Sequence, residues 1–182
     1  FSDVRKTVRD VINEVYDDFK YDTVTVNVTG SGGLSVHQFL DIDFIQEVVA
    51  CKRAVEKYIP KTDVVIELGG EDAKIIYFGK SIEQRMNGTC AGGTGAFIDQ
   101  MASLLNTDSS GLNELAKKHS IIYPIASRCG VFAKTDVQPL INEGAAREDI
   151  AASIFQAVVN QTISGLACGR PIRGNVAFLG GP

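Results

Sequence analysis

Long apolar runs are missing from this 182-residue sequence, and no stretch approaches the roughly 18 uninterrupted apolar residues of a membrane span. The first residues, FSDVRKTVRD, also lack the apolar centre of a signal peptide. These two absences predict a soluble, cytoplasmic protein without a membrane partner.

An excess of basic charge is missing as well. The sequence has 18 lysines and arginines against 22 aspartates and glutamates, and the formal charge of -4 is spread along the chain. Proteins that bind phosphodiester backbones usually gather their basic side chains on a stripe or a tail. We therefore expect no nucleic-acid partner.

Cysteines are scarce, and their number limits what they can do. The four cysteines are too few and too widely spaced for the disulfide framework of a small secreted domain. They are therefore expected to be free thiols or metal ligands.

Strands alternate with helices along the chain, which predicts an α/β fold. With 45% apolar residues the chain can bury a core. The apolar spacing predicts helices over residues 3–19, 43–58, 94–105, 112–119, 136–142 and 149–166, and strands over residues 23–30, 63–70, 73–80, 81–87 and 175–181.

A break near residues 61–63 divides the sequence into two units, residues 1–62 and 63–182. The chain opens directly on an amphipathic helical pattern, and it ends on a strand followed by a glycine turn. We expect it to be a fragment of a longer protein, in which the first unit is incomplete.

The motif ELGGED, residues 67–72, follows a predicted strand. Gly69 and Gly70 would let backbone amides approach a phosphate, while Glu67, Glu71 and Asp72 could face a Mg²⁺ ion or a water molecule. A plain β-turn between two strands explains the same residues equally well.

A second glycine-rich motif, NGTCAGGTG at residues 87–95, leads directly into a predicted helix. Gly92, Gly93, Thr94 and Gly95 would form an amide-lined pocket at a helix N-terminus, where positive partial charge favours a phosphate or a thiolate such as that of Cys90. No Gly-Lys-Ser/Thr follows, so the loop is not a Walker A sequence.

Cys129 repeats this arrangement, because it precedes Gly130 and a further helix. An iron-sulfur cluster normally takes four thiolates. Cys51 and Cys168 lie in predicted helices and are expected to be core residues, so one chain would offer two ligands and a second copy the other two. Two buried, inert thiols are the simpler alternative.

The motifs ELGGEDAK, NGTCAGGTGAF, SRCGVFAKTDV and AFLGG resemble, in this order, those of the BadF/BadG/BcrA/BcrD ATPase family, the activators of 2-hydroxyacyl-CoA dehydratases and benzoyl-CoA reductases. The resemblance implies an actin-like, ribonuclease H-like fold of two lobes. Residues 1–62 would be the C-terminal part of a truncated first lobe, and residues 63–182 the second lobe with the cluster and phosphate loops.

The family's activity is implied in the same way. ATP and Mg²⁺ would bind between the lobes, contacted also by Lys74, Gly180 and Gly181. A [4Fe-4S] cluster held by Cys90 and Cys129 would bridge a homodimer, or this module and a sister module. Reduced ferredoxin or flavodoxin would supply the electron, which ATP hydrolysis would drive to an acyl-CoA dehydratase or reductase.

This sequence departs from the family pattern at two informative places. Glu71 stands where the family usually has glutamine, and the family's first phosphate loop, DxGSTxxK, has no counterpart here. Two other functions therefore stay open: a sugar-kinase-like phosphotransferase of the same fold, and an inactive structural or dimerising fragment.

Overall fold

The computed structural model describes residues 3–20, 22–79, 81–87, 92–127 and 129–181. Its internal contacts divide the chain into two compact units, Phe1–Pro60 and Lys61–Pro182. The identification of residues 1–62 and 63–182 with ribonuclease H-like lobes stays a prediction.

The first unit combines three helices with a short parallel strand pair. In chain order it contains α1 (Val4–Phe19), β1 (Asn27–Val28), α2 (Gly33–Leu40), β2 (Asp43–Phe44) and α3 (Glu47–Tyr58). Strands β1 and β2 pair in parallel register, with Val28 opposite Phe44.

Helix α1 begins where the sequence predicts, because the Asp3 carboxylate accepts hydrogen bonds from the amides of Arg5 and Lys6 at 3.1 and 3.2 Å. Its apolar stripe is not buried, however, and Val11 and Ile12 are 53% and 46% exposed. The helix is confirmed, but among the described residues it buries no side chain.

Two predictions in this unit were wrong in extent, and one helix was missed. The helix expected over residues 43–58 begins only at Glu47, because Asp43–Phe44 pairs with β1 as strand β2. The strand expected over residues 23–30 shrinks to β1, because only two residues find a partner strand. The GSGG segment is followed by α2, which the sequence did not predict. That helix has no side-chain cap and buries only Val36, so it lacks the usual signals of a helix start.

The second unit is built on a four-stranded sheet of order β5-β4-β3-β6. Strands β3 and β4 form an antiparallel hairpin that β5 extends, and β6 returns parallel to β3. The elements are β3 (Val64–Leu68), β4 (Ala73–Tyr77), β5 (Glu83–Met86), α4 (Gly95–Leu104), α5 (Ser109–Ala116), α6 (Gly130–Asn142), α7 (Arg147–Gln161) and β6 (Val176–Gly180).

Apolar side chains of the second unit form two clusters. Helices α4 to α7 pack around Phe97, Met101, Leu112 and Ile154, which are almost fully buried. The sheet contributes a separate cluster that includes Ile75. Full burial of one such side chain stabilises the folded state by roughly 1.5–3 kcal/mol. These clusters therefore hold the strand ends and helix starts that form the site.

Helix α7 continues as a π-helix over Thr162–Ala167. Together these 21 residues are long and apolar enough to cross a membrane by length and composition, but 56% of the apolar window is buried inside the unit, as in a core helix. Cys168 follows in a left-handed conformation and is exposed. The expectation that Cys168 is a core residue was therefore wrong, because the helix ends before it. Cys51 lies in α3 as predicted and is half-buried.

Asp149, in the first turn of α7, fastens the preceding loop to the helix. Its carboxylate accepts hydrogen bonds from the amides of Ser120 at 2.7 Å and Ile121 at 3.0 Å. The bond from Ser120, and then that from Ile121, lowers the pKa of Asp149 below its ordinary value of 3.8. The charged carboxylate is thus stabilised in the folded state.

We expect Asp149→Ala to lower the melting temperature by several degrees at pH 7, because two amides lose their acceptor. Since folding lowers the pKa of Asp149, its ionised carboxylate stabilises the folded state fully above pH 3.8. This stabilisation disappears as the pH falls through the lowered pKa. The gap between variant and wild type should therefore close in acid. Thermal unfolding from pH 2 to 7 measures it, with Glu148→Ala as the control in the same helical turn. A gap that is equal at all pH values would contradict this account.

Candidate functional site

The ELGGED motif forms the turn between β3 and β4. The amide of Gly69 donates a hydrogen bond of 2.7 Å to the carbonyl oxygen of Asp72, which closes the turn. Gly70 and Glu71 at its tip are exposed. Among the described residues, no acceptor binds the amides of Gly70 and Glu71. The tip of the turn can therefore receive an anion.

The second glycine motif meets this turn through the backbone. At the N-terminus of α4, the Gly95 amide donates to the Gly69 carbonyl at 2.9 Å, and the Ala96 amide donates to the Gly70 carbonyl at 2.7 Å. The structure thus brings the two predicted phosphate motifs together. It also uses two amides of the α4 N-terminus for this junction, which leaves the turn amides as the better anion donors.

The loop before α4 is packed tightly. Gly92, Gly93, Thr94 and Gly95 are buried. Gly93 has a φ of 80°, and an added Cβ would lie 3.0 Å from Cγ of Gln161, so only glycine fits there without strain. The predicted phosphate contacts of these residues stay a prediction.

Asn87 anchors the start of the same motif, and sequence reasoning missed it. Its side-chain oxygen accepts a hydrogen bond of 2.8 Å from the backbone amide of Ala73. The backbone amide of Asn87 in turn donates a hydrogen bond of 2.9 Å to the Ala73 carbonyl oxygen. Asn87 is 8% exposed. A buried asparagine at a strand end, where it can bond to the neighbouring strand in both directions, is the signal that could have revealed it.

The acidic side chains fall into two classes. Glu67 lies opposite Lys74 in the β3-β4 register, and its Oε1 is 3.5 Å from the Lys74 Nζ in a pair that is largely buried. Glu71 and Asp72 are exposed, and their carboxylates bond to no described side chain. Glu71 and Asp72 are therefore open to a cation, while Glu67 is already neutralised by its partner.

Strand β6 ends beside the turn. Gly180 lies opposite Leu68 in the parallel register, and its φ of 119° belongs to glycine alone. Gly181, Gly70, Glu71 and Gly95 line a pocket of about 490 Å³. Residues from four predicted groups, namely the turn, the α4 loop, the acids and the terminal glycines, thus meet at one pocket.

The predicted cluster ligands are described only in part, because Cys90 lies outside the described residues. Cys129 is half-buried at the N-cap of α6, and its carbonyl oxygen accepts a hydrogen bond of 2.9 Å from the Ala133 amide. Beside it, Val131 and Phe132 are 71% and 65% exposed. The described residues contain no group of three or more His, Cys, Asp or Glu side chains able to hold a metal ion.

Comparison with known proteins gives consistent matches. The profile of the BadF/BadG/BcrA/BcrD ATPase family matches residues 1–181. A 2-hydroxyisocaproyl-CoA dehydratase activator of Clostridioides difficile is 35% identical over 164 residues, which cover 88% of this chain and 60% of the relative. The (R)-2-hydroxyglutaryl-CoA dehydratase activating ATPase of Acidaminococcus fermentans is 34% identical over 165 residues, or 89% of this chain and 62% of the relative.

Two solved structures share the fold. Component A of the Acidaminococcus fermentans (R)-2-hydroxyglutaryl-CoA dehydratase matches with a TM-score of 0.83 at 31% identity, covering 95% of this chain and 68% of that chain. The Clostridium difficile activator with bound ADPNP matches with a TM-score of 0.81 at 32% identity, covering 95% and 66%. The predicted actin-like α/β fold is confirmed. The chain spans about 60% of the length of the curated relatives.

Proposed function

Because this chain belongs to the BadF/BadG/BcrA/BcrD ATPase family, we propose that it is part of an ATP-dependent activator that delivers an electron to an acyl-CoA dehydratase or reductase. The turn between β3 and β4, residues 69–72, is called the phosphate turn below. The single observation that carries this proposal is the pair of hydrogen bonds that joins the phosphate turn to the N-terminus of α4. The Clostridioides difficile relative is named as a dehydratase activator, the Acidaminococcus fermentans relative as a dehydratase activating ATPase, and one solved relative holds ADPNP.

In this proposal the amides of Gly70 and Glu71 receive a phosphate of ATP. These two amides have no acceptor among the described residues, so they can donate without breaking an existing bond. Glu71 and Asp72 offer exposed carboxylates for Mg²⁺, directly or through water. When bound, Mg²⁺ supplies neutralisation of the phosphate charge.

Cys129 would hold the cluster as one of two ligands per chain, with Cys90 as the other. The N-cap position fits a thiolate, because the helix dipole of α6 favours negative charge there. The exposed Val131 and Phe132 suit an interface with a second copy or a sister module. When bound, the cluster supplies a one-electron carrier.

In this proposal, helix α4 connects the nucleotide site with the cluster site. Hydrogen bonds from Gly95 and Ala96 tie the start of α4 to the phosphate turn. Further along α4, Gln100 lies so close to Gly130 that an added Cβ at Gly130 would be 3.0 Å from its Oε1. A shift of the turn would thus reach the residue that follows Cys129. Exposure and nearby dipoles tune a cluster's potential, so this route would couple ATP to electron transfer.

The test uses the purified chain under anaerobic conditions, with calorimetric titration of Mg-ATP and iron analysis after reconstitution with iron and sulfide. We expect binding of Mg-ATP, bound iron, and a dimer that forms only with iron. ATP consumption that depends on a small hydroxylated compound, without bound iron, would indicate a sugar-kinase-like phosphotransferase instead. Neither heat nor iron would indicate a structural or dimerising fragment.

The remaining proposals concern the localisation, the electron donor and the partner enzyme. We propose a cytoplasmic protein that takes its electron from reduced ferredoxin or flavodoxin and passes it to the acyl-CoA enzyme. The partner enzyme is supported by relatives named as activators of acyl-CoA dehydratases, one of them an activator of lactoyl-CoA dehydratase from Anaerotignum propionicum. Acyl-CoA reduction assays with candidate partner enzymes test these assignments.

A further inference from the structure

The segment that leads into α6 is held by a side chain of α6 itself. Residues 119–127 form no helix or strand, so their backbone amides need other acceptors. One of these amides, that of Ala126, donates a hydrogen bond of 2.8 Å to Oδ2 of Asp136 on α6. Ile125 beside it is 8% exposed and belongs to the apolar cluster of the helices. Ala126 is therefore fixed from two sides, by the Asp136 carboxylate and by the burial of its neighbour.

Asp136 also lies on the face of α6 that begins at Cys129. Positions four and seven residues apart share one face of a helix, so Cys129, Ala133 and Asp136 follow one another along it. Ala133 is fully buried, and its amide donates a hydrogen bond of 2.9 Å to the Cys129 carbonyl oxygen. Seven residues of helix rise about 10 Å, and three residues of chain reach at most about 11 Å. The chain from Ala126 to Cys129 can therefore make no wide detour between the Asp136 carboxylate and the start of α6.

Helix α4 limits the start of α6 from another side. A Cβ added to Gly130 would lie 3.0 Å from Oε1 of Gln100 and 3.7 Å from Cδ2 of Phe97. Phe97 is 1% exposed, so this wall belongs to the core. Cys129 thus stands between two fixed neighbours, because Ala126 is bound to the Asp136 carboxylate and Gly130 lies against α4.

We propose that Asp136 is a positioning residue for Cys129 as a cluster ligand. The inference rests on the proposed cluster site, and it adds a residue that is not itself a ligand and acts through the backbone of residues 126–129. A metal ligand keeps its geometry when the groups behind it are held, and loss of such a group weakens metal binding about 10–100-fold. A carboxylate suits this role, because it accepts a stronger hydrogen bond from an amide than a neutral oxygen does.

The experiment measures the rate at which the anaerobically reconstituted chain loses iron to a chelator. We expect Asp136→Ala to lose iron about 10–100-fold faster than the wild type. Asp136→Asn keeps an oxygen that can accept the hydrogen bond from Ala126, so it should restore most of the wild-type retention. In the iron-free chain, hydrogen exchange of the Ala126 amide should be faster in Asp136→Ala, which reports the loss of the contact independently of the cluster.

Asp149→Ala is the matched control, because the Asp149 carboxylate holds the other end of the same segment through the amides of Ser120 and Ile121. This variant should lower the melting temperature but retain iron as the wild type does. Wild-type iron retention in Asp136→Ala would overturn the inference, and so would equally fast iron loss in Asp149→Ala, since general destabilisation would then explain both. Either result leaves the proposed function standing, whereas a wild-type chain that binds no iron would overturn both.

Discussion

Replacing Cys129 with alanine is expected to abolish iron binding and the iron-dependent dimer together. A four-iron cluster needs four thiolates, and in the proposed arrangement each chain supplies two. One substitution per chain therefore removes half of the ligands in the assembled site. Cys129 is only half-buried at a helix N-cap and belongs to neither apolar cluster, so the variant should keep the wild-type fold. Iron analysis and sedimentation after anaerobic reconstitution measure the two losses.

The matched control for this substitution is Cys168→Ala. Cys168 is an exposed thiol that follows the π-helix in a left-handed conformation, so it does not occupy a helix N-cap. The control should retain both iron and the dimer. Bound iron in Cys129→Ala, or its loss in Cys168→Ala, would show that the wrong cysteine has been assigned.

The strongly patterned elements of the second unit were predictable from sequence. Residues 63–70 and 73–80 give strands because they are mostly apolar and rich in β-branched and aromatic residues, with a glycine turn between them, and the structure places β3 and β4 there. Helix α4 follows a run of glycines, which end the preceding segment. In contrast, α2 has neither a capping side chain nor a full apolar face, so nothing in its sequence separates it from a loop.

The meeting of the two glycine motifs was not predictable by the same means. It depends on bonds between Gly95 and Gly69 and between Ala96 and Gly70, residues 26 positions apart in each case, which form only because the tertiary structure places the start of α4 against the β3-β4 turn. The pairing of Glu67 with Lys74 is an intermediate case. A hairpin with a four-residue turn puts these two residues opposite each other, so the register alone predicts their contact.

The pocket residues on α5 and α7 belong to none of the sequence motifs. Asn113 is one polar residue on an exposed helix face, and Phe155 is one apolar residue of a long helix. Only the tertiary structure shows that both line a pocket of about 390 Å³ that also includes Gly181. Binding sites built from several distant elements are in general hidden from sequence patterns, because each element contributes a single ordinary residue.

Replacing Gly180 with alanine is expected to destabilise the protein strongly, whereas the same substitution at Gly181 is expected to leave its stability almost unchanged. At Gly180 an added Cβ would overlap the carbonyl oxygen of Leu68, and the φ of 119° is unfavourable for any other residue. Gly180→Ala should therefore lower the free energy of unfolding by about 3 kcal/mol, through backbone strain and the loss of β6 from β3. Urea unfolding followed by circular dichroism measures the loss.

Gly181→Ala supplies the control and a separate functional result. An added Cβ at Gly181 meets no atom within 4 Å, so stability should stay within about 0.5 kcal/mol of the wild type. The methyl group would, however, stand in the wall of the pocket that Gly181 lines together with Gly70, Glu71 and Gly95, and Mg-ATP binding should weaken. Wild-type stability in Gly180→Ala would contradict the position of the β6 end. Wild-type affinity in Gly181→Ala would instead mean that the nucleotide does not contact this pocket, so the two variants separate the role of Gly180 in the sheet from that of Gly181 in the pocket.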